Sequence, residues 1–329
     1  MISVAKKTLQ DLEFNTILET IAAYCNTELG YEKALAIEPF KHKTELLANL
    51  KQTSEYLASF SNNNAIPNHG FETITNELKF LSIEESFLEA QSFKKIAHLA
   101  ETAITLIKYF KKFEDYYLEL NKKSSEIAIE KQINIAIDNV FDKYGEIKNN
   151  ASPDLVFIRQ NIQVVRGKIN QSFGIALSQY NSAGYLDDIK ETIVDNKRVL
   201  AVLAMHRKKV KGSVMGSSKT GSIVYIEPEA TLRYSRELAD LLQDEREEIV
   251  RILKRLTNEI RPFKETLTEY QEFLSDIDVI AAKGKYANKI NALLPNITNE
   301  KRLYFRDAFH PILWLTNKAK NEVIYPQTI

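Results

Sequence analysis

From Leu155 the apolar positions Leu155, Ile158, Ile162, Val165, Ile169, Ser172 and Ala176 step by three and four, the seam of a period-3.5 helix. Ser152, Pro153 and Asp154 precede it as cap, first-turn proline and favourable dipole charge, so both signals place a long helix from Ser152 onward. Over roughly 28 residues it reaches on the order of 40 Å. After Pro228, Leu232, Leu238, Leu241, Leu242, Ile249, Ile252, Leu256 and Ile260 supply a second seam that Pro262 interrupts. The two segments predict an antiparallel coiled-coil arm, with Glu245, Glu247 and Glu248 amid Arg246 and Arg251 on a solvated outer face.

Between the seams the period changes toward that of strands. Arg198–Met205, Lys209–Met215 and Ser222–Ile226 are β-favouring runs punctuated by Asn196, Gly212, Gly216 and Gly221. So small a sheet lacks a core of its own and should pack on the end of the arm. Before the arm, Leu9, Leu12, Ile17, Leu18 and Ile21 fall at helical spacing, and Thr27-Glu-Leu-Gly opens a short helix closed by Pro39. Further helices are expected near 43–60, 71–81 and 83–112, with polar loops at Ser61–Gly70 and Lys122–Ser125. After the arm come helices over about 263–292, then Pro295 and a strand-like Arg302–Arg306. The fold class is mostly α: a helical core (1–151), an outgoing lever helix (152–190), a β clamp (191–227), a returning lever helix (228–262), core return helices (263–301) and a last segment (302–329). No fixed-period repeat marks a solenoid.

Charge then singles out one place. Lys+Arg and Asp+Glu both number 44, which argues against a chain that coats a polyanion along its whole length. Yet Asn196–Ile226 contains no Asp or Glu and carries Lys197, Arg198, His206, Arg207, Lys208, Lys209, Lys211 and Lys219. With Ser217, Ser218, Thr220 and exposed glycine backbone it offers charge plus neutral donors, the mixture that grips phosphate oxygens. No Asn/Gln cluster or aromatic platform beyond Tyr225 suggests base reading. The bland alternative is a loop that merely keeps the tip soluble.

Other chemistry is excluded. Gly212–Thr220 superficially looks like a phosphate-cradling loop, but Ser218 rather than Gly precedes Lys219 and a strand-like run follows. The five His residues lie too far apart for a local metal signature. Cys25 is alone, which leaves no internal disulfide. No run approaches the roughly 18 apolar residues of a membrane span. Met1–Lys7 lacks a signal-peptide core, so a cytoplasmic location with no membrane partner is expected.

Several segments carry a resemblance: Thr8–Phe14 with Thr27–Gly30, Ala151–Leu155, Ser217–Pro228, Asp276–Lys283 and His310–Leu313. In that order, over nearly the whole chain, they resemble the N-terminal half of the second bacterial MutS family, most specifically at Ser217–Pro228. The resemblance implies a core, a lever and a clamp that touches DNA backbone, followed in the family by a dimeric ABC-type ATPase and usually a small MutS-related nuclease domain. His310–Leu313 is similar to the first strand region of that ATPase, and the sequence is expected to be a fragment ending there. It implies nucleic-acid contacts at Lys197, Arg198, Arg207, Lys208, Lys209, Lys211, Ser217, Ser218 and Lys219. No catalytic residue, cofactor or metal is expected in this chain, while ATP, Mg and a homodimer are expected of the parent. Three readings follow: a grip on branched DNA that suppresses recombination, a clamp acting on ribosomes, and a scaffold whose basic tip meets an acidic protein.

Overall fold

The computed structural model describes residues 4–61, 65–300 and 302–329; Met1–Ser3, Asn62–Asn64 of the expected polar loop, and Lys301 lie outside it. The chain divides into two compact units, Met1–Asp138 with Leu256–Ile329, and Asn139–Arg255.

The first unit begins with α1 (Lys6–Asp11), α2 (Phe14–Ala22), α3 (Glu28–Leu35), α4 (Lys43–Ala58), α5 (Thr75–Leu81), α6 (Ala90–Lys112), α7 (Leu118–Ser124) and α8 (Gln132–Val140), the last of which crosses the boundary. In the second unit follow α9 (Pro153–Ser182), β1 (Leu186–Val194), β2 (Lys197–Leu203), β3 (Gly212–Ser217) and β4 (Ile223–Pro228). The helix α10 (Glu229–Ile260) leads back to α11 (Lys264–Lys289) and α12 (Pro311–Lys320) of the first unit. There α11 is buried along most of its second half and packs against α2, α3, α4, α5 and α6. Its Leu267, Tyr270, Leu274, Ile277, Ala281 and Ala282 are fully buried, as are Phe93, Ile96, Leu99, Leu106 and Phe110 of α6. A helix buried on all sides is the centre of a bundle rather than a surface element.

In the second unit Ser152 accepts from the Leu155 amide at 3.0 Å and Pro153 opens α9, as the cap pattern predicts. The Ser152 hydroxyl also donates to Glu248 at 2.7 Å, Arg159 pairs with Glu245 at 2.7 Å, and Lys168 lies over the Tyr234 ring. Partners fall along α10 as positions rise along α9, so the two helices pair antiparallel. Glu245 and Glu248 therefore do not sit on a solvated face. Glu248 is 5% exposed, because the free hydroxyl of the α9 cap and Arg251 need an acceptor there.

The four strands form an antiparallel sheet of order β1-β2-β4-β3. One face packs on the last turns of α9, where Phe173, Leu200, Val202, Val210 and Ile226 form a buried cluster with Leu177, Tyr180 and Tyr185 beside it. The sheet does borrow its core from the helix.

Several boundaries differ from expectation. The helix of the outgoing lever stops at Ser182, where the Tyr185 amide turns back to Tyr180 O and the Tyr185 carbonyl takes the Leu203 amide. Residues 186–190 thus belong to β1, whose acidic side chains hide a strand. Within the expected run Lys209–Met215, Lys209 lies in a 3-10 turn, Ala204–Lys209, and the strand begins only at Gly212. Lys122–Ser124 are helical rather than loop, because the Glu55 carboxylate caps α7 through the amides of Glu119 and Leu120. Residues 83–89 lie outside α6. Pro262 interrupts the returning α-helix after Ile260, as expected, but only locally. A single 3-10 turn, Arg261–Phe263, absorbs the missing donor, and α10 and α11 join into a run of 61 residues. Arg302–Phe305 form no regular strand, and His310–Leu313 open α12, with Pro311 in its first turn, in place of a strand.

Candidate nucleic-acid interface

Because β2 and β3 each run antiparallel to β4, they are parallel to one another, and the chain must cross the length of the sheet between them. That crossover, Ala204–Lys211, carries Arg207, Lys208, Lys209 and Lys211. It is held down at several points. Val210 is buried in the cluster beneath, the His206 ring stacks on Tyr185 at 4.9 Å, and the Lys209 ammonium lies over the same ring at 5.1 Å. The Lys211 amide donates to the Tyr180 hydroxyl at 3.3 Å, and its carbonyl accepts from Glu229 at 3.1 Å. At the entry to β3 a Cβ on Gly212 would stand 2.1 Å from the Glu227 carbonyl oxygen, so only glycine lets the crossover meet β4 there.

Ser217, Ser218 and Lys219 lead from β3 into the turn to β4. The Ser218 hydroxyl accepts from the Ile223 amide at 3.1 Å, and Thr220 bonds Ser222 at 2.8 Å, so the turn is braced by its own hydroxyls. Lys219 is left exposed on it. The Ala204 amide donates to Ser222 O at 2.9 Å, which brings the start of the crossover and this turn together at the Leu203 end of the sheet. The segment Gly212–Thr220 is therefore strand and turn, followed by another strand, with no helix N-terminus to cradle a phosphate.

The nine expected contact residues separate into three groups. Arg207, Lys208, Lys209 and Lys211 ride the crossover, and Ser217, Ser218 and Lys219 the adjacent turn. Lys197 and Arg198 belong elsewhere: Lys197 pairs with buried Glu227 at 2.9 Å, and Arg198 pairs with Glu191 at 2.6 Å while its guanidinium covers the Phe173 ring at 4.4 Å. Both partners lie just outside the acid-free window, which is why the sequence leaves these two cations looking unpaired. Among the described residues no carboxylate pairs with Arg207, Lys208, Lys209, Lys211 or Lys219. Sequence reasoning also passes over Tyr180 and Tyr185, whose rings fix the crossover; their position at the end of a helical seam is the only signal they give.

Among the described residues no group of His, Cys, Asp and Glu has metal-holding geometry, and no helix is long and apolar enough to cross a membrane. What the arrangement offers is a set of unneutralised cations on a fixed backbone.

No family model matches the chain. It is similar to Endonuclease MutS2 of Ligilactobacillus salivarius, 28% identical over 97% of this chain and 41% of that protein. Endonuclease MutS2 of Pediococcus pentosaceus is 26% identical with the same coverage, and that of Finegoldia magna 29% identical over 94% of this chain and 39% of that protein. The chain spans about two fifths of the length of the curated relatives it matches. Over nearly its whole length, then, this chain is a homologue of the bacterial proteins named Endonuclease MutS2.

Proposed function

We propose that this chain is the nucleic-acid-gripping part of a MutS-like protein, acting on branched DNA and restraining recombination. The single observation that carries the reading is the crossover and turn of the sheet, where Arg207, Lys208, Lys211 and Lys219 stand without acidic partners among the described residues. Phosphate oxygens are the ligands such cations suit, and the lack of a base-reading helix makes the grip indifferent to sequence. ATP with Mg, and a homodimer, belong to the proposal for the whole protein, with no site for either assigned among these residues. The relatives' name, Endonuclease MutS2, supports a nucleic-acid partner.

The test is binding of this chain to four-way junction DNA, linear duplex and purified ribosomes at matched salt, with and without reversal of Arg207, Lys208, Lys209 and Lys211 to Glu. Junction binding that exceeds duplex binding and collapses on reversal supports the proposal. Tighter binding to ribosomes would replace it with a ribosomal role. Binding unmoved by the reversal, in a folded variant, would point to an acidic protein partner for the island.

A further inference from the structure

Met205 is 80% exposed, more than any other large apolar side chain described in the second unit. Its backbone is nonetheless fixed on both sides: the Ala204 amide before it is bonded to Ser222, and the His206 ring after it is stacked on Tyr185. Arg207 and Lys208 follow within the same 3-10 turn, and the neighbouring turn carries Lys219 and Thr220. A solvated loop end has no use for a thioether held out among cations, and nothing in the sheet or in α9 covers it. An unbranched apolar side chain on a fixed backbone, with Arg207 and Lys208 following it in the same turn, is instead the form of a wedge. Such side chains enter between base steps and unstack them while the surrounding cations hold the backbone.

We propose that Met205 inserts at a base step, and that the preferred ligand is DNA in which one step is already open, as at a gap, a nick or the centre of a junction. The inference rests on the reading of the sheet as a DNA grip. Opening a stacked step costs free energy that an interrupted duplex has already spent, so the wedge discriminates by structure. A thioether makes no directional bond to a base edge, so it adds no sequence preference.

The experiment places 2-aminopurine beside a one-nucleotide gap and, separately, within a continuous duplex of equal length, and follows emission and affinity at matched salt. The wild-type chain is expected to raise emission at the gap and to bind gapped DNA at least about tenfold more tightly than duplex. Met205→Ala and Met205→Lys should abolish the emission change and bring the affinity ratio to about one, while Met205→Leu retains both. Because the side chain is in solvent, circular dichroism and Tm of all three variants should match wild type. An emission change and ratio that survive Met205→Ala would overturn the wedge and leave the grip standing. Failure of the wild type to bind either DNA at low salt would remove the grip, and the wedge with it.

Discussion

Asp278 of α11 accepts hydrogen bonds from both the backbone amide and the hydroxyl of Thr27, at 2.9 and 2.7 Å, across 251 positions of sequence. The same hydroxyl accepts from the Gly30 amide at 3.0 Å and so caps α3, and the Asn26 amide donates to Asp278 at 2.9 Å. Two of the segments that carry the family resemblance, Thr27–Gly30 and Asp276–Lys283, are thus the two halves of one buried joint. A Cβ on Gly30 would lie 2.3 Å from the Asp278 carboxylate and 2.8 Å from the Thr27 hydroxyl.

Gly30→Ala should therefore cost about 3 kcal/mol, because the methyl forces apart a carboxylate whose donors have no other acceptor. Urea unfolding of the whole chain measures it. Gly174→Ala, where the added carbon meets nothing within 4 Å, is the control and should leave stability equal or slightly raised.

The joint also sets a pH dependence. Burial alone would raise the Asp278 carboxyl, but His69 together with the amides and hydroxyl of Asn26 and Thr27 more than offsets it and holds the group below the usual carboxylate range. A carboxyl depressed in the folded state gives stability that is fully present above the unfolded value and lost as pH falls through the folded one. Tm should thus decline below about pH 4. In Asp278→Asn the neutral-pH Tm should be lower and the acid decline shallower. A parallel curve would mean that other carboxylates carry the acid sensitivity.

How much of this was legible follows from range. The Ser152–Pro153–Asp154 start of α9, its seam and the small sheet rest on local signals, and the structure has them. Lys122–Ser124 were misread because the cap that makes them helical, Glu55, lies far away in sequence and only the fold brings it near. Glu248 looked solvated because a carboxylate between arginines usually is; its true acceptor role depends on a serine on another helix. In the basic island, composition found the region, while the partners that withdraw Lys197 and Arg198 from it sit one strand away and across a register that sequence does not display.

Lys197 gives the sharpest contrast between a fold residue and a contact residue. Glu227 is 2% exposed and Lys197 is its only cation among the described residues. Lys197→Met should destabilise the protein by about 2 kcal/mol, less than a fully buried pair would lose because the ammonium is partly solvated. Adding Glu227→Gln should restore much of the loss. Thermal unfolding of the single and double variants checks the coupling, and equal losses that simply add would show that the two side chains act independently.

For the cations without partners the expected readout is salt dependence. Reversing Arg207, Lys208, Lys211 and Lys219 to Glu should lower the slope of log affinity against log salt by about three to four units if all four meet duplex phosphates at once. Reversal of Arg246, which is exposed on α10 and bonds Gln243, should change the slope little. A drop of about one unit would mean that a single residue of the set reaches the backbone.

The strand order gives the sheet a polarity as well as a charge. β1 on one edge carries Asp187 and Asp188 against Lys190, its Glu191 being paired with Arg198, whereas the turn between β3 and β4 at the opposite edge carries the unpaired Lys219. In the field of any long polyanion such a plate feels a torque before it feels a contact, over a distance of about 8 Å at physiological salt. The acidic edge is turned away and the basic edge toward the approaching strand. If the partner is the polyanion proposed above, orientation is settled during the encounter, and the side chains that finally touch are chosen by a compass built into the order of the strands.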